Sequence, residues 1–118
     1  DDYGHLKELN PNLNDTIYIA SDSVCSQNKY IYNHTVIQNN GTLTLSEIVN
    51  FYQGVTLIIQ SGGVLYVNGA DIKNADIIIE PGGKIVINNN GKIQICTDKN
   101  FLLPLGAIME VQSGEIIP

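Results

Sequence analysis

The hydrophobic positions of this chain fall in short alternating runs that recur in register. Residues 59–67 (IQSGGVLYV) return as residues 79–87 (IEPGGKIVI), and in both segments apolar positions flank a Gly-Gly pair. Looser copies occupy residues 37–45 and 111–117. Self-similarity with a period of about 20 residues is typical of repeat architectures. Because each unit combines a strand, a Gly turn and a second strand, the pattern predicts the coils of a β-solenoid.

Alternation within each unit predicts which side chains face the core. Successive side chains of a strand point to opposite faces, and neighbouring strands lie about 4.8 Å apart, so equivalent aliphatic residues of successive coils should stack. The predicted inward rows are Leu57/Ile77/Met109, Ile37/Ile59/Ile79/Val111, Leu43/Leu65/Ile85/Ile117 and Leu45/Val67/Ile87. No segment has the periodicity of a helix. We therefore expect an all-β fold, a single-stranded parallel β-helix of about four coils with a period of 20–22 residues.

Two further expectations concern handedness and organisation. Coil length varies, and the inward rows lack the six-residue repeat of left-handed hexapeptide solenoids, so the pattern favours a right-handed β-helix. Residues 1–34 lack the repeat and are predicted to form an N-terminal cap, because terminal units of solenoids are atypical. Residues 35–118 are predicted to form the coils, with an excursion at 97–107 where the repeat is interrupted.

Composition narrows the classes of partner. The 118 residues are 43% hydrophobic, which suffices for one core, and carry a net charge of −6. All six positive residues are Lys, so we expect no nucleic-acid partner. No apolar run reaches the roughly 18 residues of a spanning helix, so we expect no membrane insertion. The two cysteines, Cys25 and Cys96, fall about three coils apart in the repeat and are expected to be separate buried thiols.

Catalytic chemistry finds little support in the sequence. Large β-helices include pectate-lyase-like enzymes. Resemblance to those enzymes would require carboxylates that hold Ca²⁺ beside a basic residue. Asp71, Asp76 and Glu80 lie near Lys73 and Lys84 in the repeat, yet the chain has no Arg and no dense Asp cluster. His5 and His34 have no partner at a spacing that implies a triad. We expect no catalytic residue, no metal site and no cofactor, and hence no enzyme.

A resemblance to known proteins is carried by residues 74–88 (NADIIIEPGGKIVIN), with residues 54–59 and 63–69 as the preceding coil. These segments resemble coils of secreted, surface-associated right-handed β-helix proteins of Bacteroidetes-type bacteria. The resemblance implies an exported, non-catalytic structural or adhesive module at the bacterial surface, after removal of a signal peptide. Thr16 and Ser23 lie in Asp-Ser/Thr-apolar phrases similar to sites that such bacteria O-glycosylate.

One outward stripe is a candidate interaction surface. Val36, Ile58 and Ile78 alternate with the inward rows and should face water, and Tyr66 and Val86 extend the apolar surface on the next face. Contiguous apolar patches usually mark an interface. The other interpretation is that the predicted cap or the 97–107 excursion folds over this stripe and buries it. The chain also stops within a coil at Pro118, so we expect pairing with a second copy or with a neighbouring domain of a longer chain.

The alternative function is a carbohydrate-binding or polysaccharide-active β-helix. Tyr30 and Tyr32 are the candidate glycan contacts, because aromatic residues are concentrated in the predicted cap and first coil. The two hypotheses differ in what the outer faces should display. A glycan-binding solenoid presents aromatic or carboxylate-rich shelves on one face, whereas a scaffold presents aliphatic and amide ladders.

Overall fold

The structure is a computed structural model that describes residues 16–52, 54–95 and 101–117. These residues form fifteen short β-strands. The first nine strands are β1 (Ile17–Ile19), β2 (Asp22–Cys25), β3 (Lys29–Ile31), β4 (Thr35–Ile37), β5 (Thr42–Leu45), β6 (Ile48–Phe51), β7 (Leu57–Ile59), β8 (Val64–Asn68) and β9 (Asp71–Lys73). The remaining strands are β10 (Ile77–Ile79), β11 (Lys84–Asn88), β12 (Gly91–Gln94), β13 (Phe101–Leu102), β14 (Ile108–Val111) and β15 (Gly114–Ile117). The described ranges contain no helix, and so none long and apolar enough to cross a bilayer.

Consecutive strands lie in three different sheets, so that three strands make one coil. The first sheet has the order β1-β4-β7-β10-β13, the second β2-β5-β8-β11-β14 and the third β3-β6-β9-β12-β15. All strand pairs are parallel, and the chain returns to the first sheet four times. The predicted all-β, parallel β-solenoid of about four turns is therefore confirmed. Each coil has the two strands that flank the Gly turn and a third strand before the return to the first sheet.

Stacked aliphatic side chains fill the interior, as the alternation predicted. Leu57 pairs with Ile77, and Ile59 lies between Ile37 and Ile79 in the first sheet. In the second sheet the stacked rows are Leu43/Leu65/Ile85 and Leu45/Val67/Ile87. Every one of these side chains is fully buried. Burial of each contributes roughly 1.5–3 kcal/mol, which offsets part of the entropy lost on ordering the chain.

A third set of inward residues completes the core from the third sheet. Val49, Ile72 and Ile93 stack in register and are fully buried, and the half-buried Ile116 continues the row in the last coil. The polar residue Thr35 is fully buried in an inward row, between Ile17 and Leu57. Its hydroxyl donates to the carbonyl oxygen of Asn33 at 3.1 Å. That bond satisfies a group whose burial would otherwise be costly.

The predicted rows fail in the last coil, because the final repeat was aligned to the wrong corner. Val111 pairs with Ile87 rather than Ile79, and Met109 pairs with Ile85 rather than Ile77. Ile117 pairs with Gln94 rather than Ile85. The phrase Val111-Gln112-Ser113-Gly114 resembles the turn that joins the first and second sheets. It actually forms the corner between the second and third sheets, where Gly114 pairs with Gly91.

Both predicted interruptions of the solenoid need correction. Residues 17–31, assigned to the 1–34 cap, form the complete first coil, with β1 in register with β4 and β2 with β5; residues 1–15 lie outside the described residues. The predicted 97–107 excursion contains β13, which pairs with β10 through Ile77↔Phe101. The following residues then form an ordinary corner, in which Ile108 N donates to Gly83 O at 2.9 Å. The described part of the predicted excursion, residues 101–107, therefore belongs to the coil; residues 97–100 lie outside the described residues.

The corner between the first and second sheets explains the recurrent Gly-Gly pair. At its first position Asn40, Gly62, Gly82 and Gly106 all have positive φ. At its second position the coils approach closely, since a Cβ on Gly63 would lie 2.6 Å from the carbonyl oxygen of Ile37. The two glycines therefore serve different purposes, one conformational and one steric.

The two ends of the solenoid differ in how they close the core. Cys25 and Val111 stand at opposite ends of one inward row, with Leu45, Val67 and Ile87 between them. The Cys25 side chain is 4% exposed, whereas that of Val111 is 48% exposed. The first coil is thus a closed end and the last coil an open end, and these two names are kept below.

Separate substitution of two neighbouring isoleucines tests which of them faces the core. Ile59→Ala empties an inward position and should lower the free energy of unfolding by about 2–5 kcal/mol, because it leaves a cavity between stacked coils. Ile58→Ala removes the same atoms from an outward, half-buried position and should cost much less. Urea unfolding followed by circular dichroism compares the two variants. Equal losses would contradict the assignment of the two faces.

The steric glycine gives a second prediction. Gly63→Ala places a Cβ against the backbone of the preceding coil and should destabilise the protein by about 1–3 kcal/mol, as overpacking does. Ser61→Ala, an exposed position in the same corner, should leave the melting temperature within error of the parent. Thermal unfolding measures both. A Gly63→Ala protein as stable as the parent would show that the coils can separate at this corner.

Candidate functional site

The outer faces of the solenoid carry different chemistry. The outer row of the first sheet consists of Tyr18, Val36, Ile58 and Ile78, in that stacking order. The third sheet has mixed polar and apolar outer rows. One contains Tyr30, Asn50 and Lys73, and the other contains Ile48, Asp71, Lys92 and Glu115. An aromatic residue combined with amides and charges therefore occurs on the third sheet, near the closed end.

Three tyrosines meet at the edge of this face. Tyr32 follows β3 and Tyr52 follows β6, and Tyr52 N donates to Ile31 O at 2.9 Å, so the two tyrosines occupy equivalent positions in successive coils. Their ring centroids are 5.4 Å apart with an interplanar angle of 42°. Tyr30 stacks on Tyr32 from the same coil, at 6.1 Å and 25°. Such offset contacts are favourable because the edge of one ring meets the face of another.

Burial divides the three rings into a support and two exposed surfaces. Tyr32 is 8% exposed, whereas Tyr30 is 56% and Tyr52 is 42% exposed. The buried ring thus contacts both exposed ones. The contact with Tyr32 restrains each exposed ring on one side.

A cleft of about 400 Å³ opens beside these rings. Its lining residues are Asn28, Lys29, Tyr30, Tyr32, Ile48 and Asn50; we call it the tyrosine cleft. Its size lies within the range of sites that hold small molecules. The first and second coils both contribute, since Asn28 precedes β3 and Ile48 begins β6.

The polar groups of the tyrosine cleft are donors in the main. The side-chain oxygen of Asn28 accepts from Ile48 N at 3.1 Å, so its amide nitrogen is the group left to donate. Lys29 also lines the cleft and is half-buried, although its position in β3 is in register with the inward Val49. Within the described part of the chain, no carboxylate lies within ion-pair distance of Lys29. The cleft combines aromatic surface, amides and one cation.

The structure does not keep the predicted interaction stripe together as an exposed surface. Val36, Ile58 and Ile78 stack on one outer row as predicted, but Val36 is buried. Ile58 and Ile78 are half-buried. Of the 97–107 segment, which was one candidate to cover the row, residues 97–100 lie outside the described residues. Its strand β13 extends the same sheet, because Leu102 pairs with Ile78.

The second part of the stripe is also interrupted. Tyr66 and Val86 stack in an outer row of the second sheet, but Val86 is 3% exposed while Tyr66 is half-buried. Val86 pairs with Glu110 of the last coil, and Lys84 reaches that carboxylate at 3.4 Å. The ion pair runs diagonally over this part of the strand. We infer that its aliphatic and charged atoms shield Val86 from water.

The neighbours of Glu110 lower the pKa of its carboxyl group. Gln112 Nε2 donates to its carboxylate at 2.6 Å, and this bond is the main cause that lowers the pKa of Glu110. The hydrogen bond and charge of Lys84 lower the pKa further. Because the folded pKa lies below the unfolded one, these contacts stabilise above the unfolded pKa. Their contribution is lost as pH falls through the folded pKa.

Substitution of the two partners should raise the pKa of Glu110. Gln112→Ala removes the hydrogen bond and Lys84→Met removes the opposite charge, so each should move the pKa upward. Lys92→Met lies on the third sheet and should leave it unchanged. Carboxyl chemical shifts followed by NMR during a pH titration measure the effect. An unchanged pKa in Gln112→Ala would contradict the assigned main cause.

The residues considered for catalysis lie apart from each other or take part in hydrogen bonds and ion pairs within the solenoid. Asp71 accepts from Gln94 Nε2 at 2.6 Å and lies 3.9 Å from Lys73 Nζ. His34 Nδ1 accepts from Thr56 N at 3.1 Å and so joins neighbouring coils. Across residues 16–52, 54–95 and 101–117, no three His, Cys, Asp or Glu side chains are grouped to hold a metal ion. His5 lies outside the described residues.

The remaining predicted residues occupy structural positions. Thr16 and Ser23 are half-buried, and Ser23 heads the inward row of Leu43; their O-glycosylation stays a prediction. Cys25 is a buried free thiol, as expected, and its sulfur donates to Gln27 O at 3.6 Å. Cys96 lies outside the described residues.

Comparison with known proteins finds no relative of this chain. No protein-family model matches the chain, and neither a curated protein nor a solved structure is significantly similar to it. The resemblance to surface proteins of Bacteroidetes-type bacteria therefore rests on the quoted repeat segments alone. The fold itself rests on the strand pairing.

Sequence reasoning selected Tyr30 and Tyr32 but missed their neighbours. Nothing in the local sequence pattern marks Tyr52, Asn28, Lys29 or Asn50 as neighbours of these two tyrosines. Alignment of the first coil with the second predicts these neighbours, because pairing of Ile31 with Phe51 places Tyr32 beside Tyr52. The cap assignment hid that alignment.

Proposed function

We propose that this chain is a non-catalytic β-solenoid module that acts as a structural or adhesive element. In this proposal it is exported and displayed at a bacterial surface, as the resemblance of residues 74–88 implies. The observation that carries the proposal is the open end of the solenoid. One of its inward rows ends in Val111, and Leu103 follows β13; both side chains are about half exposed.

The open end has the properties of a joining surface. The strands β13, β14 and β15 are each the last strand of a parallel sheet. Their outer edges carry main-chain donors and acceptors at the spacing of another coil. Apolar core residues lie between these edges, so a docked coil would gain hydrogen bonds and apolar burial together. The partner that fits best is a further β-solenoid coil.

The non-catalytic part of the proposal is supported by the state of the carboxylates. Asp71 and Glu110 are engaged by Gln94, Gln112 and neighbouring lysines on the outer faces. A stack whose stability is approximately a sum over neighbouring coils suits a spacer or scaffold. The predicted alternative, carbohydrate binding, is favoured by one observation of its own, the tyrosine cleft.

Self-association of the 118-residue chain tests the joining surface. Without another coil present, the open end should pair with a second copy, and sedimentation equilibrium should detect concentration-dependent dimers. Val111→Lys places a charge among the exposed core residues and should abolish association. Val24→Lys changes a valine that is 70% exposed near the closed end and should leave association unchanged.

Two results would overturn the proposal. One is a parent protein that stays monomeric at millimolar concentration with full stability. The other is association that persists in Val111→Lys but is lost in Val24→Lys, which would move the interface to another face.

A further inference from the structure

We propose that the tyrosine cleft is a binding site for an acidic saccharide, a sugar chain that carries carboxylate groups. The inference rests on the cleft alone and is independent of the open end. Its three components are the exposed Tyr30 ring supported by Tyr32, the amide donors, and Lys29, whose long side chain we place at the cleft although its strand position is in register with the inward Val49.

The exposed rings match the apolar face of a sugar. A pyranose ring presents C–H groups on one face, and these carry a slight positive charge. The face of an aromatic ring is negative, so the two surfaces attract each other and exclude water. Tyr30 lines the cleft with a 56% exposed side chain, and the 42% exposed Tyr52 stands next to Tyr32.

The rings are ordered before a ligand arrives. Tyr32 contacts both exposed rings and is itself buried, so their orientation is set by packing within the protein. A tyrosine has only two side-chain torsions to fix, which makes its contact area cheap in entropy. Prior ordering of this kind raises affinity, because less freedom is lost on binding.

The polar groups match the edge of a sugar. Hydroxyl groups project around a pyranose and need donors and acceptors at its rim. Asn28 is held by the backbone of Ile48 at 3.1 Å, which fixes its amide beside the cleft. Asn50 lies next to Tyr30 on the neighbouring strand and lines the same cleft. Amides supply both donors and acceptors, as hydroxyl recognition requires.

Lys29 selects among saccharides by charge. It is the charged member of the lining, and among the described residues it has no carboxylate within ion-pair distance. The nearest charge along the outer row is Asp71, beside Ile48, and Lys73 and Gln94 already hold that carboxylate. A uronate carboxylate would therefore supply the ion-pair partner that Lys29 does not have among the described residues. Such charge-assisted hydrogen bonds are stronger than neutral ones.

A nucleic acid is a poor alternative for the same cleft. Its bases would also stack on tyrosine, but its phosphates need several cations along a track. The chain carries a net charge of −6, and one Lys lines the cleft. Repulsion from the remaining surface would oppose a polyanion of high charge density. A short uronate oligosaccharide requires only the single cation.

Titration calorimetry with defined oligosaccharides tests the proposal. The probes are trigalacturonate, trimannuronate, triguluronate and a hyaluronan tetrasaccharide, with galactotriose as the neutral counterpart. At least one acidic probe should bind with a dissociation constant below about 1 mM. Galactotriose should bind at least about tenfold more weakly than trigalacturonate if the latter is the ligand that binds.

Variants assign the binding to the cleft. Tyr30→Ala should weaken the bound probe by about tenfold or more through loss of stacking. Tyr18→Ala is the matched control, since Tyr18 is a 61% exposed tyrosine of the same coil on the first sheet. It should bind as the parent does. Circular dichroism checks that both exposed substitutions leave the fold intact.

Lys29→Met separates charge recognition from stacking. It should reduce affinity for the acidic probe to that for its neutral counterpart, while the neutral probe is little affected. Failure of every acidic probe to bind overturns the proposal, and so does equal weakening by Tyr18→Ala and Tyr30→Ala. Unchanged acidic binding by Lys29→Met overturns the charge assignment. Val111→Lys should retain saccharide binding, so this test and the test of the joining surface fail independently.

Discussion

The parallel hydrogen-bonded pairing of successive coils is the constraint on which the rest of this structure depends. Pairing in register places each side chain directly over its equivalent, as Ile37, Ile59 and Ile79 illustrate in the first sheet. A shift by one residue would turn every inward aliphatic toward water. The core, the outer rows and the tyrosine cleft are therefore consequences of one register, repeated around three sheets.

The corners enforce that register. At the corner between the first and second sheets, one residue takes positive φ and the next lies almost in contact with the coil beneath it. Elsewhere amide side chains join coils, as where Asn68 and Asn89 are hydrogen bonded to each other. His34 does the same through the backbone of Thr56. Polar residues that look unremarkable in the sequence thus hold the coils at their spacing.

The sequence predicted the fold wherever the repeat was unbroken. Between Ile37 and Ile87 the inward rows follow from alternation and the Gly-Gly pair, because both features report directly on burial and close approach. At the ends the signal failed. The first coil has Ser23 and Lys29 at inward positions, where later coils have aliphatics, so it resembled a cap. The last coil repeats a Gln-Ser-Gly phrase at a different corner, and the phrase misled the alignment.

The candidate site was accessible to sequence reasoning only in part. Tyr30 and Tyr32 were found because aromatic residues are few and clustered. Lys29, Asn28 and Asn50 join them through strand pairing between the first two coils, which alternation within one coil cannot reveal. The burial of Val36 and Val86 was likewise hidden, since it depends on neighbours across the sheet and, for Val86, on a diagonal ion pair.

The connection from the third sheet back to the first varies in length, although the strands it joins stay in register. Three residues separate β3 from β4 and β9 from β10, five separate β6 from β7, and six separate β12 from β13. That corner therefore absorbs added residues without disturbing either neighbour. For protein engineering it is a natural insertion point, where an epitope or a binding peptide can be grafted while the surrounding scaffold keeps its shape.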